Sequence, residues 1–338
     1  MIPEWRERYS RQILFAGIGE AGQQRLRDAT VAVVGCGALG SFHAGALARA
    51  GAGRLVLIDR DFVEWSNLQR QWLYEEGDAR EALPKAIAAA RALERINSET
   101  KLEPHVADLT PDNIEELLEG ADVVLDGTDN FETRFLMNDY CVEHGVPWVY
   151  GGAVGSYGVA MPVAPGRGPC FECVFPEPPQ GPQPTCETAG VLNSITSLVA
   201  SWQVSLALQF LCGRDPERKI TMFDAWAATV RQVEMPPPDP QCPACALHSC
   251  RYLHGEARVP VSLCGRNAVQ IHDRKRPVDL DELARRLGAL GEVRHNGFAL
   301  RFSIPPHEMT IFPDGRAIVK GTQDPGLARS LYSRFVGN

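Results

Sequence analysis

The stretch Val31–Gln71, VAVVGCGALGSFHAGALARAGAGRLVLIDRDFVEWSNLQRQ, decides how this chain is read. An apolar strand, Val31 to Val34, runs into Gly35-Cys36-Gly37-Ala38-Leu39-Gly40; an Ala-rich helix comes next, then a second apolar strand ending at Asp59. That is the βαβ fingerprint of a dinucleotide-type site in its proper context. The glycines permit a tight turn and close approach of backbone N–H groups to phosphate, and the acid nineteen residues past Gly40 meets ribose hydroxyls. The residues after Asp59 depart from a plain dinucleotide reader. Asp61 lies at the same sheet edge, Asn67, Arg70 and Gln71 come within a dozen residues of Asp59, and Lys85 soon after. Arginine offers phosphate a bidentate fork and lysine a point charge. So much cation and amide suits a triphosphate about to be split better than a nicotinamide cofactor.

Further along, Val123-Val124-Leu125-Asp126-Gly127-Thr128-Asp129-Asn130 is another apolar strand ending in acids. Ligands of open α/β sheets bind past the carboxyl ends of the strands, so Asp129 (or Asp126) is placed in the crevice of the glycine loop. A carboxylate there can hold Mg²⁺ against the phosphates. Thr128, Asp129 and Asn130 also suit the start of the next helix as N-caps, a role compatible with metal holding.

The rest of the chain fits this frame. It has 338 residues, 44% hydrophobic and 22% charged, and a net charge of −8. That length suits two domains, and the sign disfavours an extended nucleic-acid surface. The N-terminus, MIPEWRERYSRQ, has no apolar core of a signal peptide, so a cytoplasmic protein is expected. The most apolar run, 189–212, contains Asn193, Gln203 and Gln209 and reads as buried helix rather than a membrane span.

Strand and helix alternate from 31 to 150, with a polar helical stretch over 9–28 before them. The expected fold is a Rossmann-like α/β, doubly wound, mostly parallel sheet. Past Gly151 the Gly- and Pro-rich segments read as loops or short antiparallel strands, so the sheet is expected to continue antiparallel, with strands near 220–223 and 230–234. Met235-Pro236-Pro237-Pro238-Asp239-Pro240 marks a boundary or an extended arm. We therefore expect one domain over residues 1–255 and a small α+β domain over 256–338. The latter carries a helix at 280–290 and strands at 298–302, 309–312 and 317–319, and Asp314-Gly315 is a hairpin signal.

The chain has ten cysteines. Without a secretion signal they favour thiols, metal ligation or catalysis over structural disulfides. Cys170-Phe171-Glu172-Cys173 and Cys242-Pro243-Ala244-Cys245 each put two thiolates on one tight turn, and two such turns can close a tetrahedral, structural Zn²⁺ site around the proline arm. His248 and Cys250 are near enough in sequence to substitute. Cys186 lies in a polar loop before a helix, where a thiol pKa can fall. Cys36, Cys141 and Cys212 read as core, and Cys264 has no assigned role.

These motifs, together with Arg8-Tyr9-Ser10-Arg11-Gln12, Ser66-Asn67-Leu68-Gln69-Arg70-Gln71, Pro84-Lys85 and Cys186-Glu187-Thr188-Ala189-Gly190, resemble the ThiF/MoeB/HesA family over about residues 5–250. That family belongs to the superfamily of enzymes activating ubiquitin-like proteins. The resemblance implies an adenylyltransferase: the C-terminal Gly-Gly carboxylate of a small ubiquitin-like sulfur carrier attacks the α-phosphate of ATP, giving an acyl-adenylate and pyrophosphate. It implies that Asp59 binds ribose, that Asn67, Arg70 and Lys85 bind phosphates, that Asp129 holds Mg²⁺ and that the paired cysteines bind Zn²⁺. It further implies that Arg11 reaches the γ-phosphate from the partner of a homodimer, and that Cys186 can bond to the activated carrier. The C-terminal tail, with Cys264-Gly265-Arg266-Asn267 and Phe312-Pro313-Asp314-Gly315-Arg316-Ala317, favours the thiamine-pathway carrier, with the molybdopterin carrier next. A tRNA-modifying cyclase relative, an NAD-dependent oxidoreductase and a non-catalytic scaffold remain alternatives; Arg70, Lys85 and the cysteine pairs disfavour the oxidoreductase.

Overall fold

The computed structural model describes residues 4–179, 185–186, 188–256, 268–271, 277–322 and 324–337. They fall into two compact units: Met1–Gln180 with Ala189–Ala257, and Gly181–Thr188 with Arg258–Asn338.

In the first unit, α1 (Glu4–Arg8), α2 (Ser10–Ile13) and α3 (Gly19–Asp28) precede β1 (Thr30–Val34) and α4 (Ala38–Ala50). The helical stretch expected over 9–28 is made of α2 and α3 with a turn between them, and α3 starts at Gly19, φ +60°. Then come β2 (Arg54–Ile58), α5 (Glu76–Glu81), α6 (Lys85–Ile96), β3 (Lys101–His105), α7 (Ile114–Leu117), β4 (Val123–Asp126) and α8 (Phe131–His144). The unit continues with β5 (Trp148–Val154), β6 (Tyr157–Val163), α9 (Phe171–Val174), α10 (Asn193–Leu211), β7 (Lys219–Asp224) and β8 (Thr229–Glu234).

The eight strands form one sheet in the order β3-β2-β1-β4-β5-β6-β7-β8. Pairings from β3 to β5 are parallel and those from β5 to β8 antiparallel, as expected from the sequence. Pro104, which cannot donate to a ladder, lies on the edge strand β3. Central strands are buried on both faces, which is why they read as unbroken apolar runs. Val31, Val33, Leu55, Leu57 and Leu125 face one core with α4, α6 and α10, while Val34, Val56, Ile58 and Val124 face the other with α7 and α8. Each such fully buried side chain contributes about 1.5–3 kcal/mol.

The Gly-rich segment after Gly151 is more regular than its composition suggests. Strands β5 and β6 run through it and turn at Gly155, φ +61°. Gly151 sits inside β5 because a Cβ there would lie 2.3 Å from the Gln203 side chain of α10. Among the described residues α10 is the helix long and apolar enough to cross a membrane. Here it packs against α4, β5 and β6, and the amide of Gln203 donates to the carbonyls of Asp126 and Val149 at 2.9 and 3.1 Å.

The second unit holds β9 (Ala268–Ile271), α11 (Leu280–Leu287), β10 (Glu292–His295), β11 (Leu300–Ile304), β12 (His307–Ile311), β13 (Ala317–Lys320) and α12 (Pro325–Phe335). The antiparallel sheet runs β10-β11-β12-β13-β9, and Leu280, Leu283, Leu287, Leu331 and Phe335 of the helices bury against Leu300, Phe302, Met309 and Ile311. Helix α11 ends at Leu287, three residues short of the expected end near 290. The β12–β13 hairpin turns at Gly315, φ +85°. The sequence reading passed over α12, although Asp324 and Pro325 are its N-cap and first residue. Cys264 and the segment 264–267 lie outside the described residues.

Candidate functional site

Strand order reverses where β1 lies between β2 and β4, and the crevice beyond their carboxyl ends is the fold's ligand site. The two turns that floor it interlock. Gly35 has φ +84°, and a Cβ there would lie 2.7 Å from the Gly127 carbonyl; a Cβ on Gly40 would lie 1.7 Å from Gly35 O, and one on Gly127 2.3 Å from it. Only glycine fits these three positions, and the loop backbone is thereby held at the N-terminus of α4. A helix start carries amides without intrahelical partners and a partial positive charge, which suits an anion.

Asp59, one residue beyond β2, ties the loop down. Its Oδ2 accepts from the Cys36 amide at 2.7 Å and its Oδ1 from the Asp61 amide at 2.6 Å. Burial raises its pKa, and the charge of Lys85 and these two amides work against that rise. Lys85 is the first residue of α6 and is buried (5% exposed). A cation at a helix N-terminus opposes the macrodipole. Asp61 offsets it: Nζ lies 3.3 Å from Asp61 Oδ2, and Asp61 in turn faces Arg60 at 3.8 Å. Arg60 is anchored to Asp108 at 2.8 Å. Tyr74, which the sequence reading did not single out, sets its hydroxyl 2.6 Å from Cys36 O and 3.2 Å from Lys85 O, bracing loop and helix together.

The Asn67–Gln71 segment continues from a short 3₁₀ turn, Trp65–Asn67. Asn67 is buried and its side-chain oxygen accepts from Glu64 N at 3.0 Å. Arg70 is half-buried, with Nη1 on Ser66 O at 2.8 Å. Gln71 is buried beside the glycine loop, its Nε2 3.9 Å from where a Gly37 Cβ would stand, and its Oε1 meets no donor among the described residues. A buried acceptor left unsatisfied beside an amide-lined loop fits a ligand that brings a donor. The Trp72 amide donates to Ser41 of α4 at 3.1 Å, which fixes this segment over the loop.

On the far wall, Asp126 is fully buried and Thr128 bonds back to its Oδ1 through N and Oγ1 at 2.8 and 2.7 Å. Asn130 is the N-cap of α8, accepting from Thr133 N at 2.8 Å. Asp129 between them is exposed and not the cap. An exposed carboxylate beside the interlocked turns, next to a buried Asp126 already engaged, fits a hard cation.

Arg11 lies elsewhere in its own chain. It is exposed on α2, which Gln12 fastens to Ala50 O and to Gln23, and Tyr9 to Asn97. Ala50 ends α4, and thirteen residues of helix place it about 20 Å from the glycine loop. Cys186 is half-buried in a turn of the segment grouped with the second unit.

A second constellation lies on α9 and the chain after the proline arm. The sulfurs of Cys170 and Cys242 are 3.5 Å apart, those of Cys173 and Cys245 3.5 Å, and those of Cys170 and Cys173 3.9 Å, with all four within 4.8 Å. Four thiolates at tetrahedral Zn–S distances stand about 3.8 Å apart, so the cluster fits zinc. Asn138 Nδ2 and the Asp239 amide donate to Cys170 and Cys173. Burial pushes the Cys245 thiol up to about 12 and Cys170 further, so a dication is what would make them thiolates. Among the described residues the group of potential ligands is made of these four cysteines, without His248 or Cys250. The chain turns at His248 and Cys250, which adopt positive φ, and Cys250 Sγ sits 3.8 Å from Asp139 O and Glu143 Oε2.

Comparison with known proteins points the same way. The ThiF family pattern matches residues 9–244. A sulfur carrier protein ThiS adenylyltransferase of Bacillus subtilis is 42% identical over 336 residues, covering 98% of this chain and 99% of its own. A sulfur carrier protein adenylyltransferase of Thermus thermophilus is 38% identical over 247 residues, 71% of this chain and 90% of its own. The crystal structure of E. coli MccB superposes with a TM-score of 0.62 at 23% identity, covering 71% of this chain and 72% of that one, a likeness of fold. A glycine loop locked against a second strand end, with an acid and a lysine beside it, is thus found in a chain that matches relatives named adenylyltransferases along most or all of its length: it belongs to the ThiF family and is an enzyme of the nucleotidyltransferase kind.

Proposed function

We propose that the chain adenylylates the C-terminal Gly-Gly carboxylate of a small ubiquitin-like sulfur carrier, with ATP as donor. The observation that carries this reading is the convergence of Asp59, Lys85 and Gln71 on the interlocked loop of Gly35, Gly37 and Gly40. The carrier's carboxylate oxygen forms a bond to the α-phosphorus, the bond to the bridging oxygen breaks, and pyrophosphate leaves. Asp59 takes the ribose hydroxyls, and Asn67, Arg70, Gln71 and Lys85 hold the phosphates. Lys85 exchanges its partner Asp61 for phosphate, so the helix-start cation is balanced before and during the reaction. Positioning and charge stabilisation are the protein's main contribution. Mg²⁺, when bound by Asp129 near Thr128 and Asn130, would neutralise charge building on the leaving group.

Arg11 serves the γ-phosphate of the partner's site in a homodimer, a reading supported by its anchorage about 20 Å from its own loop. Zinc on Cys170, Cys173, Cys242 and Cys245 pins the proline arm. Cys186 takes up the activated carrier covalently. The thiamine-pathway carrier is favoured over the molybdopterin one because the Bacillus relative, named for ThiS, matches through the second unit as well. The two domains are those of residues 1–255 and 256–338, and the enzyme works in the cytoplasm. The test is ATP–pyrophosphate exchange. It should depend on a carrier ending in Gly-Gly and vanish when the last glycine is removed; exchange without any carrier, or none with carriers of either pathway, would refute the reading.

A further inference from the structure

Arg134, in the first turn of α8, is 6% exposed, which is rare for an arginine, and neither nucleotide binding nor the cysteine cluster uses it. Its Nε donates to Asp126 Oδ2 at 2.8 Å. Its Nη2 donates to two carbonyls, Thr128 O at 2.7 Å and Gly151 O at 3.0 Å. The guanidinium lies over the rings of Phe131 and Tyr150, 5.2 and 5.0 Å from their centroids. Burial works against its charge, and Asp126, Tyr150 and Asp129 sustain it.

One planar fork therefore gathers the end of β4, the turn after it and the adjacent strand β5. The residue before Asp129 is clamped twice, through its carbonyl by Arg134 and through its amide and hydroxyl by Asp126. The residue after it caps α8. The backbone that carries the exposed Asp129 carboxylate is thereby held on both sides. That is the condition for binding a cation without first ordering the turn.

We propose that Arg134 is a positioning residue: by clamping Thr128 O and Gly151 O to Asp126, it holds the Asp129 carboxylate where it meets the divalent cation bound with the nucleotide. The inference rests on the proposed role of Asp129 as a cation ligand. Lysine cannot replace this arginine, because a point charge opposite Asp126 cannot also reach two carbonyls set by a fork. The competing view is that the buried pair only holds strand ends together. It predicts a loss of stability with no change in metal binding.

The experiment compares the parent, Arg134→Lys, Asp129→Asn and the double variant. Each is titrated with Mn²⁺ in the presence of a non-hydrolysable ATP analogue, with bound Mn²⁺ read by electron paramagnetic resonance and folding by thermal melting. Supports behind a metal ligand are worth roughly 10–100-fold in affinity, so Arg134→Lys should weaken Mn²⁺ binding within that range while metal-free nucleotide binding stays near the parent's. The double variant should bind no more weakly than Asp129→Asn, because nothing is left to position. Parent-like Mn²⁺ binding by Arg134→Lys beside a weakened Asp129→Asn overturns the inference and leaves the Asp129 reading intact, as do additive losses. Normal binding by Asp129→Asn overturns that reading itself. Should Arg134→Lys not fold, Phe131→Leu, which removes one ring over the fork but keeps its hydrogen bonds, replaces it with a smaller shift expected, and parent-like binding there overturns the inference.

Discussion

His43 offers a prediction whose size can be worked from geometry. It is fully buried on α4, with Nε2 2.9 Å from Gln203 Oε1. Gln203 gives its amide nitrogen to Asp126 O and Val149 O, so its oxygen must accept. The imidazole is therefore assigned as the Nε2–H tautomer, which leaves Nδ1 a lone pair in the core with no donor among the described residues. Protonating Nδ1 would bury a cation, and burial lowers the His43 pKa from 6.5 to about 4, with the Gln203 hydrogen bond working against that fall. Between these values the unfolded chain binds a proton that the native chain refuses, so stability is complete above pH 6.5 and declines as pH falls toward 4. A shift of that size corresponds to about 3 kcal/mol, of which about 2–3 are already gone at pH 4.5. His43→Gln keeps a donor to Gln203 and cannot titrate. Urea unfolding at pH 7.5 and 4.5 should show the variant less stable than the parent at the higher pH and the gap narrowed by about 2–3 kcal/mol at the lower. Other acid effects, such as that of Asp139, whose burial raises its pKa to about 6, are common to both proteins and cancel in the difference. A gap that stays constant with pH would refute the assignment of a buried neutral imidazole.

Gly40→Ala should weaken nucleotide binding by roughly 100-fold in calorimetry, because its Cβ would stand 1.7 Å from Gly35 O and the loop must move. Gly77→Ala, which meets nothing within 4 Å, should bind like the parent. Mixing inactive Arg11→Ala and Lys85→Ala homodimers should restore exchange as subunits swap, since one site of each heterodimer is then intact; no recovery would mean that Arg11 does not act across subunits. Elemental analysis should find zinc in the parent and none in Cys245→Ser. Its melting temperature should fall by roughly 10 °C, equivalent to about 3–5 kcal/mol in a unit of this size. An unchanged melt would show that the cluster holds no structural metal.

The local geometry of the crevice at the glycine loop was legible in the chain because it is written at short range. A strand, a glycine turn, a helix and an acid fall in one continuous stretch, and each step is fixed by steric and hydrogen-bonding rules that need no distant partner. The paired cysteines were readable for the same reason, two thiols to a turn. What tertiary structure decided is which distant groups complete these local units. Gly127 belongs to the glycine loop only because β4 lies beside β1; Tyr74 braces it only because the 3₁₀ segment folds back over α4; and Gln203, which looked like one amide in an apolar helix, satisfies the ends of two strands. Likewise Cys250, near the second cysteine pair in sequence, is turned away by backbone at positive φ. Sequence proximity specifies a turn or a cap, whereas burial and charge balance depend on neighbours that only the packed sheet brings together.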